Sequence, residues 1–184
     1  AKIVVELQTI IAREVDPLNS GVVTVSMMRA GEAFNVIPPT AELGGTLRAL
    51  TLDNLHFIQQ RVREISEHVA AANRCTVEVT FPGHAYPPTD NDAHCWNVAR
   101  DVVGELLEPE AALESPPIMG GEDFAFFLQH VPGVFVGLGA RNEALGAVHS
   151  VHHPRFLLDE GVLPTGSALH VAYALRSLEE LRGA

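Results

Sequence analysis

Thr76-Val77-Glu78-Val79-Thr80-Phe81 is the stretch that decides how the first half of this chain is read. Its apolar residues Val77, Val79 and Phe81 alternate one for one with Thr76, Glu78 and Thr80, the period-2 pattern of a strand with one face on a core. Just before it, Asp53 is placed to cap a helix whose stripe is Leu55, Ile58, Val62, Ile65 and Val69, ending near Asn73. Further back, Ala41 to Leu50 and the β-branched run Val22-Val23-Thr24-Val25-Ser26 read as two more strands, separated by a loop from Gly31 to Pro39. Gly44-Gly45 inside the second of them predicts a bulge or the close approach of another backbone. Asp16-Pro17 and Asn19-Ser20-Gly21 form the turn ahead of the first strand, and residues 1 to 13 carry Ile3, Val4, Leu7, Ile10 and Ile11 at helical spacing.

The order is helix, strand, strand, helix, strand. The first helix starts at residue 1 without a cap, which suggests that a neighbouring strand belongs ahead of it. With that strand supplied the pattern becomes β-α-β-β-α-β, a two-layer α+β arrangement of ferredoxin-like type.

The composition changes at Pro82 to Asp92, a run of Pro, Gly, Tyr and Asp that marks a boundary. Beyond it, Asn91 or Asp92 can cap a helix carrying Trp96, Ala99, Val102, Val103 and Leu106. Glu108 to Pro117 is a polar connection, Gly120-Gly121 turns into a short helix around Phe124 and Leu128, and Val134 to Leu138 has the wholly apolar character of a buried strand. A loop from Ala140 to Phe156 holds three histidines, and a last helix runs from about Leu163 to Leu181. This half alternates helix and strand, as an α/β domain does, but has too few strands for a complete sheet.

The 184 residues are 47% hydrophobic, enough for a packed core, and the formal net charge is -11. With Lys2 as the only lysine, the chain lacks the clustered cations that nucleic acid or an anionic membrane surface requires. No apolar run approaches a membrane span, so a soluble protein is expected, in the cytoplasm or a lumen. Cys75 and Cys95 stand in no paired motif, which argues against a zinc finger or a disulfide scaffold.

Chemistry concentrates in two places. His149, His152 and His153 lie within five positions, ahead of Pro154, and a loop can present such imidazoles to a metal; two loop histidines near a helix start explain the pattern equally well. Met119-Gly120-Gly121-Glu122-Asp123-Phe124 places two carboxylates at a helix start, where they could serve a site or simply cap amides. Asn35 and Arg48 could together bind a carboxylate, or be solvated loop and strand residues. His56, His68, His94 and His170 fall in helices, and His84 and His130 near element ends, where packing or solvation accounts for them. No His-Glu-x-x-His, nucleophile elbow or flanked cysteine is present.

Taken together, Gly31-Glu-Ala-Phe-Asn-Val-Ile-Pro38, Gly44-Gly-Thr-Leu-Arg48, Pro87-Pro-Thr-Asp-Asn-Asp92, Met119-Gly-Gly-Glu-Asp-Phe-Ala-Phe126, Arg141-Asn-Glu143, His152-His-Pro-Arg-Phe-Leu-Leu-Asp-Glu160 and Leu163-Pro-Thr-Gly-Ser-Ala-Leu-His170 resemble the M20 metallopeptidase family. Within it, the chain is similar to the amidohydrolase branch of hippurate hydrolases and plant-type indole-3-acetic-acid amino-acid hydrolases. The resemblance implies an α/β catalytic domain with an inserted two-layer lid: residues 1–81 as lid and dimerisation domain, 82–184 as the C-terminal part of the catalytic domain. It implies that His152 ligates a divalent metal, Mn²⁺ or Zn²⁺, two of which make the complete site. Asn35 and Arg48 fall on positions that bind the substrate carboxylate, often across a homodimer, and Glu122 lines the cleft. The general base and remaining ligands are expected N-terminal to this stretch, so no catalytic residue is assigned here. The expected function is hydrolysis of N-acyl amino acids as part of a longer enzyme; the alternative is an inactive fragment serving as a binding or dimerisation module.

Overall fold

The computed structural model describes residues 1–83 and 86–183. It is a mixed helix and strand structure with one small antiparallel sheet, and its contacts divide into two compact units, Ala1–Asp90 with Pro116–Phe127, and Asn91–Ser115 with Leu128–Ala184.

The first unit is built on a hairpin. Strand β1 (Gly21–Arg29) pairs antiparallel with β2 (Glu42–Ala49), from Gly21 opposite Ala49 to Arg29 opposite Glu42, with a bulge between Val25 and Met27. Helix α1 (Lys2–Thr9) runs into a π turn over Ile10–Glu14, and α2 spans Leu52–Ala72. Leu7 and Ile10 from the first helix, Leu55, Ile58 and Val62 from α2, and Val23 and Ala49 from the hairpin form one core. Ile3 and Ile11 flank it, so four residues of the stripe read in residues 1–13 face inward, Val4 being the exception. Arg61 on α2 fastens the π turn: its Nε lies 2.5 Å from Glu14 Oε2 while its Nη1 reaches Glu64, and these two carboxylates hold the guanidinium firmly protonated.

Two sequence expectations need correction in this unit. The cap of α2 is Thr51, whose hydroxyl accepts from Asn54 N at 3.3 Å, and Asp53 lies in the first turn, where it complements the helix dipole. Residues 76–81 form no strand, because a strand needs a ladder partner and none pairs with them among the described residues. Side-chain contacts hold them instead. Val79 and Phe81 pack on the core, Arg63 Nη1 donates to Val79 O at 2.9 Å, and the same guanidinium sits 5.5 Å from the Phe81 ring centre.

The second unit pairs α3 (Ala93–Leu106) with the long α5 (Leu163–Gly183); α4 (Phe124–Leu128) ends at the boundary between the units. Asp92 caps α3 through Cys95 N at 2.9 Å. Val98, Ala99 and Val102 are the buried face, so Val98 takes the place expected for Leu106, which is exposed. Arg176 on α5 chelates Glu105 on α3 with 2.7 Å contacts to both carboxylate oxygens. Val134 to Leu138 likewise forms no strand: the Asn91 side chain accepts from Phe135 N at 2.7 Å and donates to Phe135 O at 3.2 Å, supplying from a side chain some of the pairing a neighbouring strand would give. No helix among the described residues is long and apolar enough to cross a membrane.

Candidate functional site

Arg48 sits on β2, one pair in from the end of the hairpin, opposite Val22. Its guanidinium is exposed, and Nη1 donates to Met119 O at 2.5 Å. The structure therefore joins the Arg48 strand to the Gly120-Gly121-Glu122 segment within the first unit. A Cβ at Gly121 would lie 3.1 Å from the Tyr86 ring, so a larger residue there would need that ring to shift by a few tenths of an ångström. Tyr86 in turn meets Phe126 on α4, with ring centres 5.8 Å apart. Glu122 is half-buried, and its carbonyl accepts from Ala125 N at 3.2 Å as α4 begins. Asn35 stays apart from this group. It lies between Phe34 and Val36 on the exposed loop that joins β1 to β2, and hydrogen-bonds to neither Arg48 nor Glu122 among the described residues.

His152 belongs to the second unit. It is exposed, and its backbone is in the left-handed region at φ 67, one of two non-glycine residues so placed among the described residues. The other, Arg74, follows the C-terminus of α2, where that conformation is the ordinary way to end a helix. His152 is the third residue of the turn that His153 N closes on Ser150 O at 3.2 Å, the position of a type II turn that takes a positive φ. A left-handed L residue costs about 1–2 kcal/mol and persists only where its surroundings impose it. On either side of it the rings of His149 and His153 stack, 4.0 Å between centres and 6° from parallel, and His153 Nδ1 accepts from Arg155 N at 3.1 Å. The stack takes up the two neighbouring imidazoles and leaves the His152 ring without a hydrogen-bond partner among the described residues.

Polar contacts at the neck shape this loop. Asp159 N donates to Ala140 O at 3.1 Å, and Asn142 Nδ2 donates to Asp159 Oδ2 at 2.7 Å. Asn142 also exchanges both backbone hydrogen bonds with Ala147, at 3.0 and 2.9 Å. The Asn142 amide and Gly161 N, both donating to Asp159, hold its carboxyl below the usual carboxylate range. With the folded-state value lowered, the stabilisation is present above the ordinary carboxylate pKa and is lost as pH falls through the folded one. Acidification is thus expected to loosen the 140–159 loop before the α3–α5 pair melts, seen as amide exchange at Asp159 and Ala147 rising while Val98 and Val102 stay protected. Equal protection at all four positions down to global unfolding would contradict it.

Among the described residues no group of three or more His, Cys, Asp or Glu side chains lies together as a metal would need. His152 is one of several histidines, with His56, His130 and His170, whose rings have no hydrogen-bond partner among the described residues. His84 lies outside the described residues, and His56, His68, His94 and His170 are on helices, with His68 bonded to Glu64 O and His94 to Glu180. Sequence reading included Asn142 and Asp159 in its motifs but gave neither a role. The usable signal was Asp159-Glu-Gly161 ahead of a helix, a capping pattern that Asp159 fulfils through Gly161 N at 2.9 Å.

Residues 4–176 match the family described as Peptidase family M20/M25/M40. The chain is 42% identical over 183 residues to IAA-amino acid hydrolase ILR1-like 2 of Arabidopsis thaliana, covering 98% of this chain and 41% of that protein. It is 37% identical over 166 residues to an N-acetyldiaminopimelate deacetylase of Leuconostoc mesenteroides, covering 90% of this chain and 42% of that protein. Among solved structures, a Bacillus subtilis dinuclear metal-binding peptidase superposes with a TM-score of 0.73 at 30% identity, over 97% of this chain and 44% of that one. The chain spans about two fifths of the length of these curated relatives.

Proposed function

We propose, because the chain belongs to peptidase family M20/M25/M40, that it forms part of a longer metal-dependent amidohydrolase acting on N-acyl amino acids of the indole-3-acetic-acid-conjugate or hippurate kind. The reaction class is supported by the plant hydrolase and bacterial deacetylase relatives, both named for amide substrates. The observation that carries the site assignment is His152, held in a costly backbone conformation with its ring open while its two neighbours stack on each other. In this reading His152 is a ligand to one of two divalent ions, Mn²⁺ or Zn²⁺, which when bound would polarise the amide carbonyl and activate water. The general base and the other ligands come from outside these residues, and no step is assigned to an ion held by this chain alone.

The chain's own residues bind and orient. Arg48 spends one N–H on Met119 O, and the rest of its planar fork remains to receive the carboxylate of the amino-acid moiety. Asn35 adds a donor from the β1–β2 loop, completing the anchor across a homodimer formed by residues 1–81 acting as lid. Glu122, on the segment tied to Arg48, lines the pocket, and residues 82–184 return to the catalytic domain. Arg48→Ala is expected to weaken hippurate binding to this chain about tenfold, the equivalent of ~1.4 kcal/mol, by calorimetric titration. Unchanged affinity, or no hippurate binding by the unaltered chain, would remove the carboxylate anchor from this surface.

A further inference from the structure

We infer that the uncovered face of α5 is a docking surface, and that its occupant is the part of the longer M20 enzyme that this chain does not span. The inference rests on the reading of the chain as part of such an enzyme, and adds which surface receives the rest.

Helix α5 is apolar on two sides. On one side Leu169, Ala172 and Tyr173 are half-buried, Arg176 reaches Glu105 on α3, and a Cβ at Gly166 would lie 2.9 Å from Leu138 Cδ2. Ala168, Val171, Leu175 and Leu178 fall on the other side, at the i, i+3, i+7 and i+10 spacing of a single stripe. Nothing covers it: among the described elements α5 packs only against α3 and the short turn at Glu160–Val162 that leads into it. Val171, Leu175 and Leu178 are 60%, 59% and 50% exposed. Leu163 and Leu181 are open at the two ends, so the face runs about 27 Å along the helix. A helix that is apolar all round belongs in an interior, and an uncovered apolar face of this extent marks a site of interaction.

Charge and coverage choose the occupant. A membrane-surface helix carries Lys and Arg along its polar face, whereas α5 has no lysine and sets Arg176 and Arg182 against Glu179 and Glu180. A second copy would bring together two chains of formal net charge -11, which repel. The rest of the enzyme meets neither objection. This chain spans about two fifths of its curated relatives, and Leu163 to Leu175 lies inside the 4–176 stretch that matches the family. An apolar face inside the shared stretch calls for a cover that the relatives share, and most of their length lies outside this chain.

Leu175→Lys tests the assignment in two proteins. One is the 184-residue chain, the other a chimera in which this chain replaces the matched 183 residues of ILR1-like 2 of Arabidopsis thaliana. Lysine is a good helix former and meets only water in the short chain, so its thermal midpoint is expected to move by less than about 2 °C there. In the chimera the same lysine is buried unpaired, and a fall of roughly 5 °C or more is expected. Equal shifts in both proteins would overturn the inference, because the face would then be covered within this chain. No shift in the chimera would also overturn it, as would a 184-residue chain that sediments as a dimer and becomes monomeric with Leu175→Lys, which would make a second copy the occupant. Should the chimera not fold, Nile red binding to the 184-residue chain decides: fluorescence lost in both Val171→Lys and Leu175→Lys supports an open apolar face, and fluorescence indifferent to both overturns it. Release of amino acid from an N-acyl amino acid by the chimera separates the two readings. Turnover with no sensitivity to Leu175→Lys would leave the enzyme reading and remove the docking face, while sensitivity without turnover would do the reverse.

Discussion

Gly45→Ala is expected to destabilise the first unit by about 3 kcal/mol, the upper end of what overpacking costs, since the obstruction is backbone and cannot rotate away. A Cβ at position 45 would lie 1.9 Å from Thr24 O, 2.9 Å from its carbonyl carbon and 3.0 Å from Val25 Cα. These atoms belong to the paired strand, immediately before the bulge between Val25 and Met27, so the hairpin has to part to admit a methyl group. Gly44→Ala is the built-in control. There the added methyl meets Met27 Cε at 2.7 Å, the far end of a flexible side chain that can swing aside. Urea unfolding of the two variants checks the contrast: a large drop in midpoint for Gly45→Ala with a small one for Gly44→Ala is expected. Equal midpoints would mean that β1 and β2 do not approach at residue 45 as described.

Ile58→Ala should cost about 4 kcal/mol, in the range for emptying a fully buried aliphatic position. Ile58 has no exposed surface, and its Cδ1 lies against the backbone of Gly21, where an added Cβ would meet it at 2.8 Å and Ile11 Cδ1 at 2.9 Å. It therefore links all three parts of the first unit: α2 that carries it, the start of β1, and the π turn through Ile11. Helix and hairpin backbones cannot collapse into the gap, so the cavity term adds in full. Ile58→Val, which removes one methyl group, should cost only about 1 kcal/mol. Thermal unfolding followed by circular dichroism distinguishes the two, and a loss in Ile58→Ala no larger than that in Ile58→Val would contradict the placement of Ile58 at the centre of the core.

What the sequence made legible follows from which features are local. The stripes of α1 and α2 are set by 3.6-residue spacing, and Ile3, Leu7, Ile10, Leu55, Ile58 and Val62 all point where the spacing put them. Gly44-Gly45 announced the bulge correctly because only glycine tolerates such an approach. Residues 76–81 and 134–138 were misread for the opposite reason. An alternating or apolar run shows that a segment suits a strand, whereas being one depends on a partner elsewhere in the chain. Val79 and Phe81 turned inward as the alternation required while Val77 is exposed, so the side-chain half of the reading held in part where the ladder half did not.

The candidate site divides in the same way. Motif resemblance picked out His152, Arg48 and Glu122, and the structure then showed Arg48 bonded to the segment that bears Glu122. Two facts were invisible beforehand. The positive φ at His152 is a backbone property with no residue-type signature, and the contact between Asn142 and Asp159 spans a loop whose path cannot be read from spacing.

The most direct test of the account is the metal content of the 184-residue chain after equilibration with Zn²⁺ or Mn²⁺ and dialysis, measured beside release of amino acid from an N-acyl amino acid. The account predicts metal well below one ion per chain and no turnover, since a lone imidazole does not retain a divalent ion through dialysis. Stoichiometric metal with turnover would contradict it, and would mean that this chain completes the site with groups other than those assigned here.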